Sequence, residues 1–152
     1  LLFDLLTTEE ELDRANVFDI GLLTERLVAV TRWVEDEPDV ADLPIGYFGA
    51  STGAAAALSA AARLGVEIGA VVSRGGRPDL AAESLADVVS PTLLIVGGAD
   101  WQVLELNEGA ARLLRSEREV AIVPRATHLF EEPGALERVS DLAAAWFARH
   151  LR

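Results

Sequence analysis

Apolar positions along the chain alternate between two rhythms. Leu1 to Leu6 is a short, nearly continuous apolar run, the pattern of a strand buried on both faces. After Asp19, a plausible N-cap, residues Ile20, Leu23, Leu27, Val30 and Val34 recur at helical spacing, with Glu25, Arg26, Arg32 and Glu35 between them. That spacing predicts one amphipathic helix. Thr7 and Thr8 each have a Glu three residues on, which predicts a capping-box start to a short helix or turn. The acidic stretch Asp36 to Pro44 holds two prolines and ends the main helix.

Beyond it the alternation becomes regular. Apolar runs at Ile45 to Phe48, Val66 to Val72, Pro91 to Val96 and Glu119 to Val123 predict strands. Between and after them, Ala54 to Leu64 (closed by Gly65), Leu80 to Val88, Leu104 to Leu114 and Ala135 to Leu151 predict helices. With the Leu1 run this makes an α/β chain of about five strands. The expected architecture is a mostly parallel sheet with helices on both faces, and one domain over 1-152. No internal repeat or linker-like tract divides it. In such sheets ligands bind at the carboxyl ends of the strands, so chemistry is sought just after Phe48, Val72, Val96 and Val123.

Composition narrows the chemistry. The 152 residues carry 25 acidic against 13 basic side chains, a net charge of −12, and every basic residue is Arg. Nucleic acid and anionic membrane are poor partners for such a surface, because both need a positive face. Zero Cys excludes a disulfide framework and a thiol nucleophile, and the lack of Lys excludes Schiff-base chemistry. No apolar run approaches the 18 or so residues of a membrane helix, and no signal peptide is visible, so the expected location is the cytoplasm. The chain has no Met and opens on Leu1, from which we expect it to start inside a larger protein. A Lys-free acidic surface fits a high-salt habitat or a GC-rich genome equally.

Three strand ends carry matched residues. Gly49-Ala50-Ser51-Thr52-Gly53 is a G-x-S-x-G sequence at a strand-to-helix junction, the pattern of a nucleophile elbow, where a tight turn lifts the Ser hydroxyl above the sheet. The Thr52 amide then stands at a helix N-terminus, where it can stabilise an oxyanion. Asp100 follows Gly97-Gly98-Ala99, and His128 follows Pro124-Arg125-Ala126-Thr127. A hydroxyl needs a base, and the base needs a carboxylate to fix its tautomer. Ser51, Asp100 and His128 supply these in order, 49 and 28 residues apart, each gap fitting whole strand-helix units. The other His, His150, lies in the last turn of the closing helix, where a cation complements the helix dipole.

Other candidates have two readings each. Arg74 and Arg77 follow the third predicted strand and either bind a substrate anion or pair with an acid such as Asp79. Trp101 and Phe130, beside Asp100 and His128, either line an apolar acyl pocket or pack ordinarily. No dinucleotide-binding or Walker pattern and no His-rich metal spacing occurs, so neither a cofactor nor a metal is implied.

These motifs resemble the α/β-hydrolase superfamily, and more narrowly its dienelactone-hydrolase-like branch. The resemblance rests on Gly46 to Gly53, on Leu93 to Asp100 and on Ala126-Thr127-His128-Leu129-Phe130, and runs from Leu1 to the C-terminus. It implies a serine hydrolase with Ser51 as nucleophile, His128 as base, Asp100 as its orienting acid and Thr52 N–H as one oxyanion donor. The implied substrate is a small carboxylic ester or related acyl compound. Dienelactone hydrolases proper carry Cys where Ser51 stands, which points away from the dienelactone reaction itself. The resemblance also aligns Leu1 to Leu6 with the family's fourth strand, leaving the fold without its first strands and without the loop that gives the second oxyanion donor. Loss of one such donor costs on the order of 10²–10³ in kcat. Two outcomes then follow for the sheet. Either the Leu1 run pairs with the Ile45 strand, or an open edge is covered by a missing N-terminal segment or a second copy. The competing reading is a non-catalytic binding or interaction module, or a fragment of a larger multidomain protein, on the same fold.

Overall fold

The alternation closes into a single parallel sheet in the computed structural model, which describes residues 1–151. Ahead of the sheet come a 3-10 turn (Glu10–Leu12), the short α1 (Arg14–Val17) and α2 (Ile20–Glu35). The sheet is built from β1 (Ile45–Ala50), β2 (Ile68–Arg74), β3 (Thr92–Gly97) and β4 (Arg118–Val123), in that spatial order. Helix α3 (Thr52–Leu64) joins β1 to β2, α4 (Trp101–Leu113) joins β3 to β4, and α5 (Ala135–His150) follows β4.

Each crossover moves one strand in the same direction, and right-handed crossovers of that kind all fall on one face. Leu58 and Ala61 of α3, Leu85 of the β2–β3 connection and Ala110 of α4 accordingly share one core with Tyr47, Val71 and Leu94. Helix α2 joins this face, with Leu27 and Val28 against the core and Thr31 sharing a buried 2.6 Å hydroxyl hydrogen bond with Tyr47 of β1. The opposite face is covered by α5, whose Val139, Ala143 and Trp146 pack on Ala70, Val72, Leu93 and Ile95. Strand β2 serves both cores by alternation, Val71 on one face and Val72 on the other, and a bulge at Gly69 resets its phase: Ile45 pairs with Ile68 but Gly46 with Ala70.

Two expectations need correction. The sheet has four strands, because Leu1 to Leu6 forms no strand. A strand needs a neighbour for its backbone hydrogen bonds, and apolar side chains alone do not provide one. Here the Leu5 carbonyl accepts from the Arg26 side chain at 3.1 Å instead, while Leu1 and Leu2 stay exposed. Of the two outcomes for the sheet, the open edge is found: among the described residues β1 has no outer partner. Alongside it runs an apolar cavity of about 1260 Å³ bordered by Leu5, Leu27, Trp33, Ile45, Phe48 and Phe147. The second correction concerns Leu80 to Val88, which forms two 3-10 turns, Pro78–Ala81 and Leu85–Asp87, rather than one helix. Ala81, Leu85 and Val88 are all buried there, so the helical spacing was a burial pattern that two tighter turns also satisfy.

The capping box at the start of the chain forms at Thr7, whose amide donates to Glu10 Oε2 at 2.8 Å while the Glu10 amide donates back to Thr7 Oγ1 at 3.3 Å. Glu10 also pairs with Arg26 of α2. Chiefly through the Arg26 bonds, its carboxyl is lowered from 4.5 to about 2. A depressed carboxylate contributes order above its unfolded pKa and loses it as pH falls through the folded one. Between pH 4.5 and about 2 the Thr7 amide resonance should therefore shift as the box opens, and a midpoint at the unperturbed 4.5 would refute this anchor.

Candidate active site

The carboxyl ends of the strands gather unusual backbone. Among the described residues, those other than Gly with positive φ are Ser51 (50°), Arg125 (65°) and Phe130 (58°), and all three lie just after β1 or β4. Such conformations cost energy and persist where surrounding structure holds them, commonly at working sites.

Ser51 takes φ 50° and ψ −123° as N-cap of α3, making the strand-to-helix elbow that the motif predicts. The turn works only because β1 and α3 nearly touch. A Cβ on Gly49 would lie 2.5 Å from the Gly53 carbonyl oxygen and 2.7 Å from Ala54 Cα. Gly53 is different, since a Cβ there would meet nothing within 4 Å. Thr52 opens α3, so its N–H has no acceptor within the helix and is free to donate forward.

Asp100 is the N-cap of α4, and its Oδ2 lies 2.7 Å from His128 Nδ1. The Asp100 side chain is 17% exposed and that of His128 42%, so the acid is shielded while the imidazole keeps an open side. The loop that presents His128 bends through left-handed Arg125 and Phe130, and its Thr127 donates from both N–H and Oγ1 to Glu132 Oε1, at 3.1 and 2.7 Å. Those bonds, the hydroxyl's first, hold the Glu132 carboxyl below its ordinary range. Glu132 belongs to no motif of its own, and its one cue in the sequence is Thr127, five residues ahead and beside His128.

Ser51 Oγ makes no hydrogen bond to His128 among the described residues. The two share a neighbour instead, the loop that follows β2. Its Arg77 N–H donates to the Ser51 carbonyl at 3.1 Å, and its Gly75 lies beneath His128, where a Cβ would be 3.7 Å from the ring's Cε1.

The remaining candidates divide. Arg77 is engaged by Asp79 in a two-point ion pair at 2.8 and 2.7 Å, the structural alternative of the two weighed for it. Arg74 has no carboxylate partner among the described residues, and its guanidinium lies 5.7 Å from the Phe130 ring centroid. Phe130 is 0% exposed within the α5-side core, so it packs, whereas Trp101 at the start of α4 is 76% exposed and borders solvent.

No protein-family model matches the chain. Two Mycobacterium tuberculosis proteins, from strains CDC 1551 and H37Rv, are each 64% identical over 151 residues and carry the provisional name phosphoribosyl transferase. The match takes in 99% of this chain but 34% of theirs, so the chain spans about a third of the length of the curated relatives it matches. Among solved structures, a dienelactone hydrolase from Anabaena variabilis superposes with a TM-score of 0.94 at 55% identity, over 98% of this chain and 71% of that one. An α/β serine hydrolase homologue from Coxiella burnetii gives a TM-score of 0.71 at 23% identity, over 84% and 60% of the two chains, a likeness of fold alone.

Proposed function

Because the chain belongs to the dienelactone-hydrolase-like branch of the α/β-hydrolase superfamily, we propose that it serves as a serine hydrolase for a small carboxylic ester or related acyl compound. The observation that carries this reading is the 2.7 Å Asp100–His128 bond at the sheet edge where Ser51 stands on its strained turn.

In the proposed reaction Ser51 Oγ attacks the ester carbonyl carbon as His128 Nε2 takes the hydroxyl proton. Asp100 keeps the other ring proton on Nδ1 and stabilises the imidazolium. The Thr52 N–H donates to the oxyanion. His128 then returns the proton to the departing alcohol, leaving an acyl-serine, and a water activated by the same imidazole releases the acid. Ser51 Oγ and His128 share no hydrogen bond among the described residues, and the reaction requires one to form; catalytic hydrogen bonds commonly tighten only in the complex with substrate.

The provisional name of the mycobacterial relatives supports a second activity, phosphoribosyl transfer, in their whole chains. We do not extend that name to this chain, because Ser, His and Asp at three strand ends suit acyl transfer rather than displacement of a pyrophosphate. A fluorophosphonate probe tests the proposal. Labelling is expected on the native protein and not on Ser51→Ala; equal labelling of both would sink the assignment of Ser51 as nucleophile, and no labelling with no ester turnover would favour the binding-module reading.

A further inference from the structure

We propose that Asn107 is a positioning residue for the reaction: by holding the Gly76 carbonyl it fixes the loop on which Ser51 and His128 both rest. The inference rests on the serine-hydrolase reading. Asn107 is fully buried in α4, and its Nδ2 donates twice, at 2.8 Å to Val103 O in its own helix and at 3.0 Å to Gly76 O, 31 residues away in sequence. Its Oδ1 is buried with no donor among the described residues. An unmet buried oxygen destabilises, so the amide is a costly choice for a core position unless its donors are needed.

What they hold is a peptide with no slack. A Cβ on Gly76 would lie 2.0 Å from Ser73 Oγ and 2.7 Å from Ala54 Cβ, so the loop is pressed against the first turn of α3, immediately beyond the Ser51 elbow. On one side of Gly76 the Arg77 N–H carries the Ser51 carbonyl at 3.1 Å. On the other, Gly75 takes φ +51°, donates its N–H to Ile95 O at 2.8 Å, and lies where a Cβ would be 3.3 Å from the His128 carbonyl oxygen. Three consecutive residues thus contact the ends of β1, β3 and the His128 loop. Helix α4 begins at Asp100 and reaches Asn107 two turns later, so one rigid element sets both the carboxylate that orients His128 and the loop that spaces it from Ser51.

Misplacing reacting groups by about 1 Å lowers rates by about 10²-fold. In Asn107→Leu, of similar bulk but without donors, kcat for a p-nitrophenyl ester per probe-titrated active site should fall by about 10²-fold while KM moves little. The His128 ring ¹⁵N chemical shifts at fixed pH should move as well, which a merely structural role would not cause. Asn107→Ala serves as a second variant because it cannot overpack. Unchanged kcat per titrated site with unchanged His128 ring shifts overturns the inference. So does failure of both variants to fold, which would make Asn107 a support of the fold rather than of the site. Native turnover that survives Ser51→Ala would instead sink the serine-hydrolase reading, and the His128 ring shifts would still report whether Asn107 places the loop.

Discussion

Asp100→Asn is expected to lower kcat for a p-nitrophenyl ester by about 10⁴-fold with little change in KM or in folding. Asp100 Oδ2 lies 2.7 Å from His128 Nδ1, and a carboxylate there accepts the Nδ1 proton's hydrogen bond, which leaves Nε2 as the acceptor for the Ser51 proton in the proposed reaction. An amide at the same place can offer an N–H to Nδ1, which drives the ring proton to Nε2. In that tautomer the base has nothing with which to take the serine proton. Stopped turnover with an unaltered thermal midpoint is the expected signature. Asp100→Asn kinetics within tenfold of native would remove Asp100 from the proposed mechanism.

The second large effect is on stability and separates two glycines that look equivalent in the motif. Gly49→Ala places a methyl 2.5 Å from Gly53 O, 2.7 Å from Ala54 Cα and 2.8 Å from Ala54 N, all backbone atoms that cannot rotate away. Helix α3 must then move off β1, and its nine buried residues move with it. We expect a loss of about 3 kcal/mol, at the upper end of ordinary overpacking. Gly53→Ala meets nothing within 4 Å and has no positive φ to defend, so it should change stability by less than about 0.5 kcal/mol or raise it slightly. Urea unfolding would read both as shifts of midpoint at constant slope. Similar midpoints for the two variants would contradict the close approach at Gly49.

Legibility differed by kind of feature. Strands β1 to β4 were visible in sequence because each is a local apolar run, and α2 because Asp19 caps it through Leu22 N as its position implied. Ser51, Asp100 and His128 were visible because their residue types and strand-end places are read one segment at a time. Leu1 to Leu6 misled, since strand formation depends on a pairing partner that no local pattern reports. Leu80 to Val88 misled because burial of every third or fourth side chain does not distinguish an α-helix from successive 3-10 turns. Asn107 was invisible for a third reason: its partner Gly76 is 31 residues away, and a lone Asn in an amphipathic helix has no pattern of its own. The same holds for the Ser51 carbonyl and Arg77, whose bond exists only once the sheet has formed.

One-directional crossovers have a consequence for how the molecule is made. Every connection between strands falls on the α3 and α4 side, so among the described residues the other side of the sheet is covered chiefly by α5, which follows all four strands in sequence. Until α5 docks, Val72 and Ile95 lack the cover of Val139, Ala143 and Trp146. Loss of α5 would therefore wet that side of the described sheet and make it a substrate for chaperones and proteases.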